Sequence, residues 1–531
     1  MAVAPAAPAV SRRRRFVKSL AWPLSALAMC LSGAATVLSF APFGLYPVSV
    51  LSLAAFYQLL RGWRGHAAFG LGWAFGLGLF GAGVSWIRIS LNEFGNMSPP
   101  IANTVMALLV AVLALYYGIA AWLMRRLEPA AEHRNWVGPL LLLPSVWALV
   151  EWVRGWLFTG FPWLLVGTSQ IDGPLAGLAP VLGVYGVSLA TALSAGLLWL
   201  ALRWLLAGHA AGAVKVRLGR AGATAGAFAL LWLAAFAVGR IPWTHPDGEP
   251  LQAAVIQGNV EQSVKWDPDR LLPTLERYLG MTREVLDSDV IVWPETAVPS
   301  FLHEVETALI DPLADTARSS GASVVIGVPI MESRERYYNG LISVGTASDR
   351  YYKRHLVPFG EFMPFKRLLR PVLDWFDVPM SDFSRGSAEA PLLKVGPYWV
   401  GVSICYEDAF PDEVREALPK AAYLINVSND AWFGDSLAPH QHLEQARMRA
   451  LENGRWLVRA TNTGISAFID ERGRVRGSLE SFHRAALITA IQPRAGATPF
   501  SRRGSGVAVA IALVLLGSSL LLRRRNGPPG H

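Results

Sequence analysis

Hydrophobic positions are distributed very unevenly along this chain. Residues 21–240 form long apolar stretches separated by short basic loops, whereas residues 241–500 alternate apolar and polar positions over short distances. A helix that spans a bilayer needs about 20 mostly apolar residues. The pattern predicts a polytopic α-helical membrane domain of about eight spans, running roughly over 21–40, 45–60, 67–86, 102–123, 137–152, 179–202, 222–239 and 506–522.

From about residue 250 the pattern is that of an α/β domain. Short β-branched runs alternate with amphipathic stretches, and several runs are apolar throughout, as in strands that are buried on both faces. Such alternation predicts sheets covered by helices. The predicted strands are 253–260, 290–295, 323–330, 340–344, 399–406 and 422–428, and the predicted helices are 268–286, 303–320, 411–420 and 441–453.

The chain therefore divides into four predicted parts. A basic N-terminal tail (1–20) precedes a transmembrane domain of about seven helices (21–240). A globular domain (241–500) follows, and a last transmembrane helix with a basic tail (501–531) ends the chain.

Composition and charge support the membrane assignment. Hydrophobic residues make up 52% of the chain and charged residues only 16%, against about 25% charged in ordinary soluble domains. The net charge of +9 does not indicate a nucleic-acid partner, because the basic residues lie in short runs beside apolar segments. If the N-terminus is cytoplasmic, the short outside loops hold only Arg88 and Arg154. This asymmetry predicts that both termini are cytoplasmic and that the globular domain faces outward.

Three predicted strand ends carry polar residues. A strand with a purely structural role would end there in an ordinary turn. The three residues are Glu295 after an apolar run, Lys353 within 351–361, and Cys405 at the end of another apolar run. Each has a structural alternative: a solvated strand end, a surface cation and a small core residue. Together they supply what thiol catalysis requires, namely a base for the thiol proton and a fixed positive charge for an oxyanion.

These segments resemble a known family. Trp293-Pro294-Glu295, the Lys353 segment and Ile404-Cys405-Tyr406-Glu407 resemble the three signatures of the nitrilase superfamily, whose fold is an αββα sandwich. The membrane spans and the phrases HLVPFGEFMPF, CYEDAFP, INVSNDAWFGDS and HQHLEQARMRALENGR narrow the resemblance to the apolipoprotein N-acyltransferase family, over residues from about 20 to 522.

The resemblance implies a role for each of several residues. Glu295 corresponds to the general base, Lys353 to the oxyanion-stabilising cation and Cys405 to the nucleophile of the family's triad. It also implicates Glu361 as a second carboxylate and Tyr406 and Glu407 as the two residues after the nucleophile. Trp266 corresponds to a tryptophan near the lipid path.

Asn429 and Trp432 follow a predicted strand in a polar turn. Their side chains are candidates for supporting the active-site loop, and ordinary turn chemistry is the alternative.

The activity implied by the resemblance is a two-step transfer. An acyl chain would pass from a phospholipid, with phosphatidylethanolamine implied, through a cysteine thioester to the N-terminal amine of a diacylated bacterial apolipoprotein. The family implies a monomer in the bacterial inner membrane, with the catalytic domain on the periplasmic side. Two alternatives are a membrane-tethered nitrilase-type amidohydrolase and a non-enzymatic membrane scaffold or transporter.

No metal or cofactor is predicted. His440 and His442 are two residues apart, whereas zinc ligands on one helix are four apart in the common motif.

Three local patterns have structural interpretations. The run Gly76–Gly81 matches a dinucleotide-binding fingerprint, but it lies within an apolar span, where close packing of helices is the better interpretation. Arg154 and residues 161–163 lie in a predicted outward loop and are candidates for a membrane-surface anchor. The run 375–380 is either a lid over the site or a packed loop.

Overall fold

The computed structural model describes residues 9–129, 135–206, 214–363 and 382–524. The run 375–380, interpreted from the sequence as either a lid or a packed loop, lies outside these ranges, as do the first eight and the last seven residues of the two predicted tails.

The described residues form a helical membrane domain, an α/β domain and a C-terminal helix. The helices of at least ten residues are α1 (Ala9–Thr36), α2 (Pro47–Leu60), α3 (Gly65–Gly83), α4 (Pro99–Leu127), α5 (Leu143–Arg154), α6 (Ala179–Leu206), α7 (Val214–Val238), α8 (Pro268–Arg283), α9 (Asp311–Ser320), α10 (Ala438–Asn453) and α11 (Gly506–Arg524). Shorter α-helical segments are Ile87–Ile89, Leu302–Val305, Pro411–Val414 and Pro499–Arg503.

Fewer helices are long enough to span a bilayer than the sequence predicts. In the described ranges five helices qualify by length and composition, namely α1, α4, α6, α7 and α11. A sixth qualifies if α3 and the segment Ile87–Phe94, which bend by 63°, count as one span. The predicted spans over 45–60 and 137–152 correspond to shorter helices. Helix α2 has 14 residues, which is about 21 Å, and is therefore shorter than a hydrocarbon core of about 30 Å.

Small residues bring the helices of the membrane domain close together. A Cβ atom at Gly76 would lie 2.6 Å from the Cα of Ala114 on α4, and one at Gly72 would collide with the backbone of Tyr117. Glycine at these positions allows α3 and α4 to approach backbone to backbone. The run Gly76–Gly81 lies within the single helix α3, as the sequence pattern predicts.

The α/β domain contains two six-stranded sheets and a small two-stranded ribbon. The sheet orders are β13-β2-β3-β4-β5-β6 and β12-β11-β10-β9-β8-β7, and β1 pairs with β14. The strands are β1 (Thr244–Pro246), β2 (Leu251–Gln257), β3 (Val290–Val292), β4 (Ser323–Ser333), β5 (Arg336–Gly345), β6 (Asp349–Tyr352), β7 (Leu392–Val395), β8 (Tyr398–Ile404), β9 (Leu424–Ser428), β10 (Leu457–Thr461), β11 (Ala467–Ile469), β12 (Val475–Ser478), β13 (Ala485–Ile491) and β14 (Arg494–Gly496).

The two sheets pack face to face between outer helices. Val255 and Val292 of one sheet share a buried apolar core with Val402 and Val427 of the other. On the outer faces, α8 and α9 cover the first sheet and α10 covers the second. The order of layers is helix, sheet, sheet, helix, which is the predicted αββα sandwich.

Helix α10 also joins the sandwich to the membrane domain. The Gln441 side chain donates a 3.0 Å hydrogen bond to the carbonyl of Gly83 at the end of α3. Glu452 accepts a 2.7 Å hydrogen bond from the amide of Val184. Both faces of α10 are therefore buried, one against the sheet and the other against the membrane helices.

The predicted membrane-surface anchor is wrong. Arg154 is 1% exposed, and its guanidinium donates to the carbonyls of Phe161 at 2.7 Å and Trp163 at 2.6 Å. Trp163 is also buried and donates a 2.7 Å hydrogen bond to Gln441 on α10. Arg154 and Trp163 therefore pack between the two domains and do not form an exposed anchor.

Candidate active site

Four strand ends converge at one edge of the sandwich. Glu295 follows β3, Lys353 follows β6, Cys405 follows β8 and Asn429 follows β9. Strands β3 and β4 run parallel, as do β8 and β9, so their carboxyl ends meet at the same edge of each sheet. The structure thus brings together the three residues that the sequence predicts as a triad.

Both oxygens of the Glu295 carboxylate accept hydrogen bonds. Oε1 accepts a 2.7 Å hydrogen bond from the Asn339 side chain and lies 3.5 Å from Nζ of Lys353. Oε2 accepts a 2.9 Å hydrogen bond from the backbone amide of Asn429. These contacts fix the orientation of a carboxylate that is almost completely buried.

Lys353 is a fully buried cation between two carboxylates. Its Nζ lies 2.9 Å from Oε1 of Glu361 and 3.5 Å from Oε1 of Glu295, and the residue is 1% exposed. Burial by itself lowers the pKa of the Lys353 amine, but the charges of Glu361 and Glu295 outweigh it and raise the pKa above its ordinary value. The site therefore holds a permanent positive charge.

Cys405 lies at a sharp turn between β8 and a 3₁₀ turn over Cys405–Ala409. Its φ is +51°, in the left-handed region that is unfavourable for a residue with a side chain. Burial raises the pKa of the thiol well above its ordinary value, and the charge of Glu295 raises it further, against the opposing effect of Lys353. The resting group is a thiol, so removing its proton requires a base.

Glu407 connects the turn at Cys405 to the segment that follows Lys353. Its Oε1 accepts hydrogen bonds from the Tyr351 hydroxyl at 2.9 Å and from the amides of Arg354 at 2.6 Å and His355 at 3.1 Å. Its Oε2 accepts a 2.7 Å hydrogen bond from the amide of Ile404. One buried carboxylate thus fixes the chain on both sides of the site.

Glu407→Gln is expected to destabilise the fold by about 1–3 kcal/mol and to reduce activity. The carboxylate has only acceptors, whereas the amide nitrogen of glutamine would face a buried N–H and leave it unpaired. The free energy of unfolding and kcat would be measured beside Glu284→Gln, an exposed control. A stability and an activity equal to those of the control would contradict this role of Glu407.

Tyr406 and His355 fasten the site to the loop that precedes α6. The Tyr406 hydroxyl donates a 3.0 Å hydrogen bond to the carbonyl of Gly160, and Nε2 of His355 lies 3.0 Å from the carbonyl of Thr159. The residue after Cys405 and a residue close to Lys353 in sequence are therefore in direct contact with the membrane domain.

The remaining predicted residues differ in their distance from the triad. Asn429 contacts Glu295 through its backbone amide, and its side chain bonds Gln262 at 2.7 Å. Trp432 is 38% exposed and its ring lies 5.3 Å from that of Phe94. Trp266 is 41% exposed. The two tryptophans contribute exposed aromatic surface.

Two buried residues of the site were missed by the sequence analysis. Asn339 donates to both Glu295 and Glu361, at 2.7 and 2.9 Å. Its Asn-Gly pair is a common hairpin-turn signal, although here it lies within β5. Lys265 donates a 3.3 Å hydrogen bond to the carbonyl of Glu295, and burial lowers its pKa to about 8 although Glu295 opposes this effect.

Two family models match the two domains. The model for the apolipoprotein N-acyltransferase N-terminal domain matches residues 32–197, and the carbon-nitrogen hydrolase model matches residues 252–500. Among solved structures, a mutant of the Nesterenkonia AN1 amidase from the nitrilase superfamily is 17% identical. That alignment covers 49% of this chain and 97% of the amidase, with a TM-score of 0.35.

Curated relatives match along almost the whole chain. The apolipoprotein N-acyltransferase of Methylococcus capsulatus is 44% identical over 95% of this chain and 97% of its own length. That of Nitrosomonas europaea is 44% identical over 92% and 95%, and that of Azotobacter vinelandii is 41% identical over 97% and 98%. With relatives this similar along nearly its full length, the chain belongs to the apolipoprotein N-acyltransferase family.

Proposed function

We propose that this chain transfers a fatty acyl group from a phospholipid to the N-terminal amine of diacylated apolipoproteins. The observation that carries the proposal is a buried lysine that lies between two carboxylates and interacts electrostatically with a buried thiol. The names of the relatives support the acceptor. Phosphatidylethanolamine is the donor that we propose.

In the first step, Glu295 removes the Sγ proton of Cys405 and the thiolate attacks the ester carbonyl carbon of the phospholipid. The Lys353 ammonium and the backbone N–H of Tyr406 stabilise the oxyanion. When the C–O bond breaks, the lysophospholipid oxygen takes the proton from Glu295. An acyl thioester on Cys405 remains.

In the second step, the free amine of the diacylglyceryl cysteine attacks the thioester carbonyl, and Glu295 takes the proton that the amine loses. Collapse of the tetrahedral intermediate breaks the C–S bond, and the Cys405 sulfur regains the proton from Glu295. The products are an amide and the free enzyme, so the reaction is ping-pong.

Several supporting roles follow from the contacts. Glu361 and Asn339 hold Lys353 and Glu295 in place. Glu407 positions the nucleophile turn. Trp266 and Trp432 have exposed rings, and we propose that these rings contact lipid. These residues would act as positioning groups rather than as proton carriers.

The membrane domain explains why the substrates are lipids. Four of its described helices and the C-terminal helix are long and apolar enough to cross a bilayer, and the bent pair of α3 and Ile87–Phe94 adds another if it counts as one span. Because both substrates are anchored in the membrane, the site must lie beside it. We propose that the protein is a monomer in the bacterial inner membrane, with the four-part division predicted from the sequence and the sandwich on the periplasmic side.

The test is a transfer assay with detergent-purified protein, phosphatidylethanolamine with labelled acyl chains, and a synthetic diacylated lipopeptide. The expected product is the lipopeptide with one labelled acyl chain in amide linkage. The matched control is the same lipopeptide with an acetylated amine, which should remain unlabelled. Release of labelled free fatty acid with no labelled lipopeptide would contradict transfer and favour hydrolysis.

A further inference from the structure

A buried charged network lies directly behind the nucleophile turn. It joins Asp408 after β8, Asp430 after β9, His442 on α10 and Arg459 on β10, each with a side chain at most 1% exposed. Arg459 contacts Asp408 at 3.3 Å and Asp430 at 3.1 Å. The proposed two-step mechanism does not use any of these four residues.

His442 faces only hydrogen-bond acceptors. Its Nδ1 lies 3.0 Å from Oδ1 of Asp430, and its Nε2 lies 2.9 Å from Oδ1 of Asp408 and 3.2 Å from the carbonyl of Cys405. A neutral imidazole would present one bare nitrogen to an acceptor, so the ring carries both protons.

The charges around the ring agree with this protonation. Burial lowers the pKa of His442, and Arg459 also lowers it, but Asp408 and Asp430 outweigh both and raise the pKa to about 9. The network then contains two cations and two carboxylates and is neutral.

The charge balance of this network affects the thiol of Cys405. Beyond the effect of burial, the charges of Glu295 and Asp430 raise the pKa of the Cys405 thiol, and the charge of Lys353 lowers it. A protonated His442 offsets the negative charge of Asp430 and also donates to the carbonyl of Cys405. That hydrogen bond is made to the backbone of Cys405, which is in the left-handed conformation.

We infer that His442 is a positioning residue that holds the nucleophile turn through the Cys405 carbonyl and supplies the charge that allows a thiolate to form there. The inference rests on the proposed role of Cys405 as nucleophile. It assigns to the histidine an electrostatic function at a distance from both substrates.

The test measures the alkylation of Cys405 by iodoacetamide as a function of pH, in the full chain with Cys30→Ala so that Cys405 is the only thiol. His442→Gln removes the positive charge and leaves the network with one surplus negative charge. The alkylation rate at pH 7.5 is expected to fall about tenfold or more, with the midpoint of the pH profile moved to higher pH. His440→Gln, on the same helix, is the control and should keep the parent profile.

Two further variants separate charge from folding. The double variant His442→Gln/Asp408→Asn restores neutrality, and its profile is expected to return toward that of the parent. Asp408→Asn leaves a surplus positive charge, so its midpoint is expected to move to lower pH. An unchanged profile in His442→Gln, or in Asp408→Asn if His442→Gln does not fold, would overturn the inference.

The readout is independent of the proposed acyl transfer. Alkylation needs neither phospholipid nor lipopeptide, so a chain that hydrolyses rather than transfers would still show the shifted profile. If the transfer assay fails but the alkylation profiles are as predicted, the proposed function is rejected and the role of His442 stands.

Discussion

Cys405→Ala is expected to reduce the transfer of acyl groups to the lipopeptide by about 10⁴-fold or more, to the background rate. The thiol is the only group in the site that forms the proposed covalent intermediate, and losing a nucleophile removes the whole covalent route. The measurement is the initial rate of labelled amide formation in the transfer assay. Because alanine differs from cysteine by one sulfur atom, the variant is expected to remain folded.

Cys30→Ala provides the matched control for this prediction. Cys30 is the other cysteine of the chain and lies in α1, far from the strand ends that form the site. Its substitution should leave the transfer rate unchanged. Transfer by Cys405→Ala at a rate comparable to that of Cys30→Ala would show that the acyl group does not pass through Cys405.

Lys353→Met is expected to reduce transfer by about 10³-fold or more. Methionine has a similar length but no charge, so the oxyanion would lose its fixed cation. In addition, Glu295 and Glu361 would share a buried site without a counter-charge. Two such carboxylates cannot both remain ionised, so they would share one proton. A proton held on Glu295 would prevent it from accepting the proton of the thiol.

The measurement for Lys353→Met is the rate at which the acyl adduct forms on Cys405, followed by intact mass after the addition of phospholipid. Lys394→Met is the control, because Lys394 lies on β7 and its amine bonds a nearby backbone carbonyl at an exposed position. An adduct that forms in Lys353→Met as fast as in the control would contradict the role of Lys353 as the oxyanion cation.

The sandwich and the convergence of Glu295, Lys353 and Cys405 could be predicted from sequence because both depend on local patterns. Strands buried on both faces are mostly apolar, as β9 is at Leu424, Ile425 and Val427, and a polar residue just after such a strand is conspicuous. Parallel neighbours then place these residues at one edge. The strands from β10 onward were not predicted. Among them, the three-residue β11 is too short to show a period.

The helices and the supporting residues were harder to predict because tertiary contacts decide them. Helix α5 ends at Arg154, whose guanidinium is buried by bonds to loop carbonyls; the sequence shows only a charge in a loop. The predicted helix over 303–320 is interrupted by a π turn at Glu306–Ile310, before the proline at position 312. Asn339 and Lys265 acquire their roles from residues that are distant in sequence.

The most direct test of the central claim is the intact mass of the detergent-purified protein incubated with phospholipid and no acceptor, before and after hydroxylamine. The account predicts one fatty-acyl adduct that maps to Cys405, persists in water, is removed by hydroxylamine and is discharged by the diacylated lipopeptide. The Cys405→Ser variant should give no hydroxylamine-labile thioester. No adduct on the wild-type chain, or an adduct that water removes as fast as it forms, would contradict acyl transfer through this cysteine.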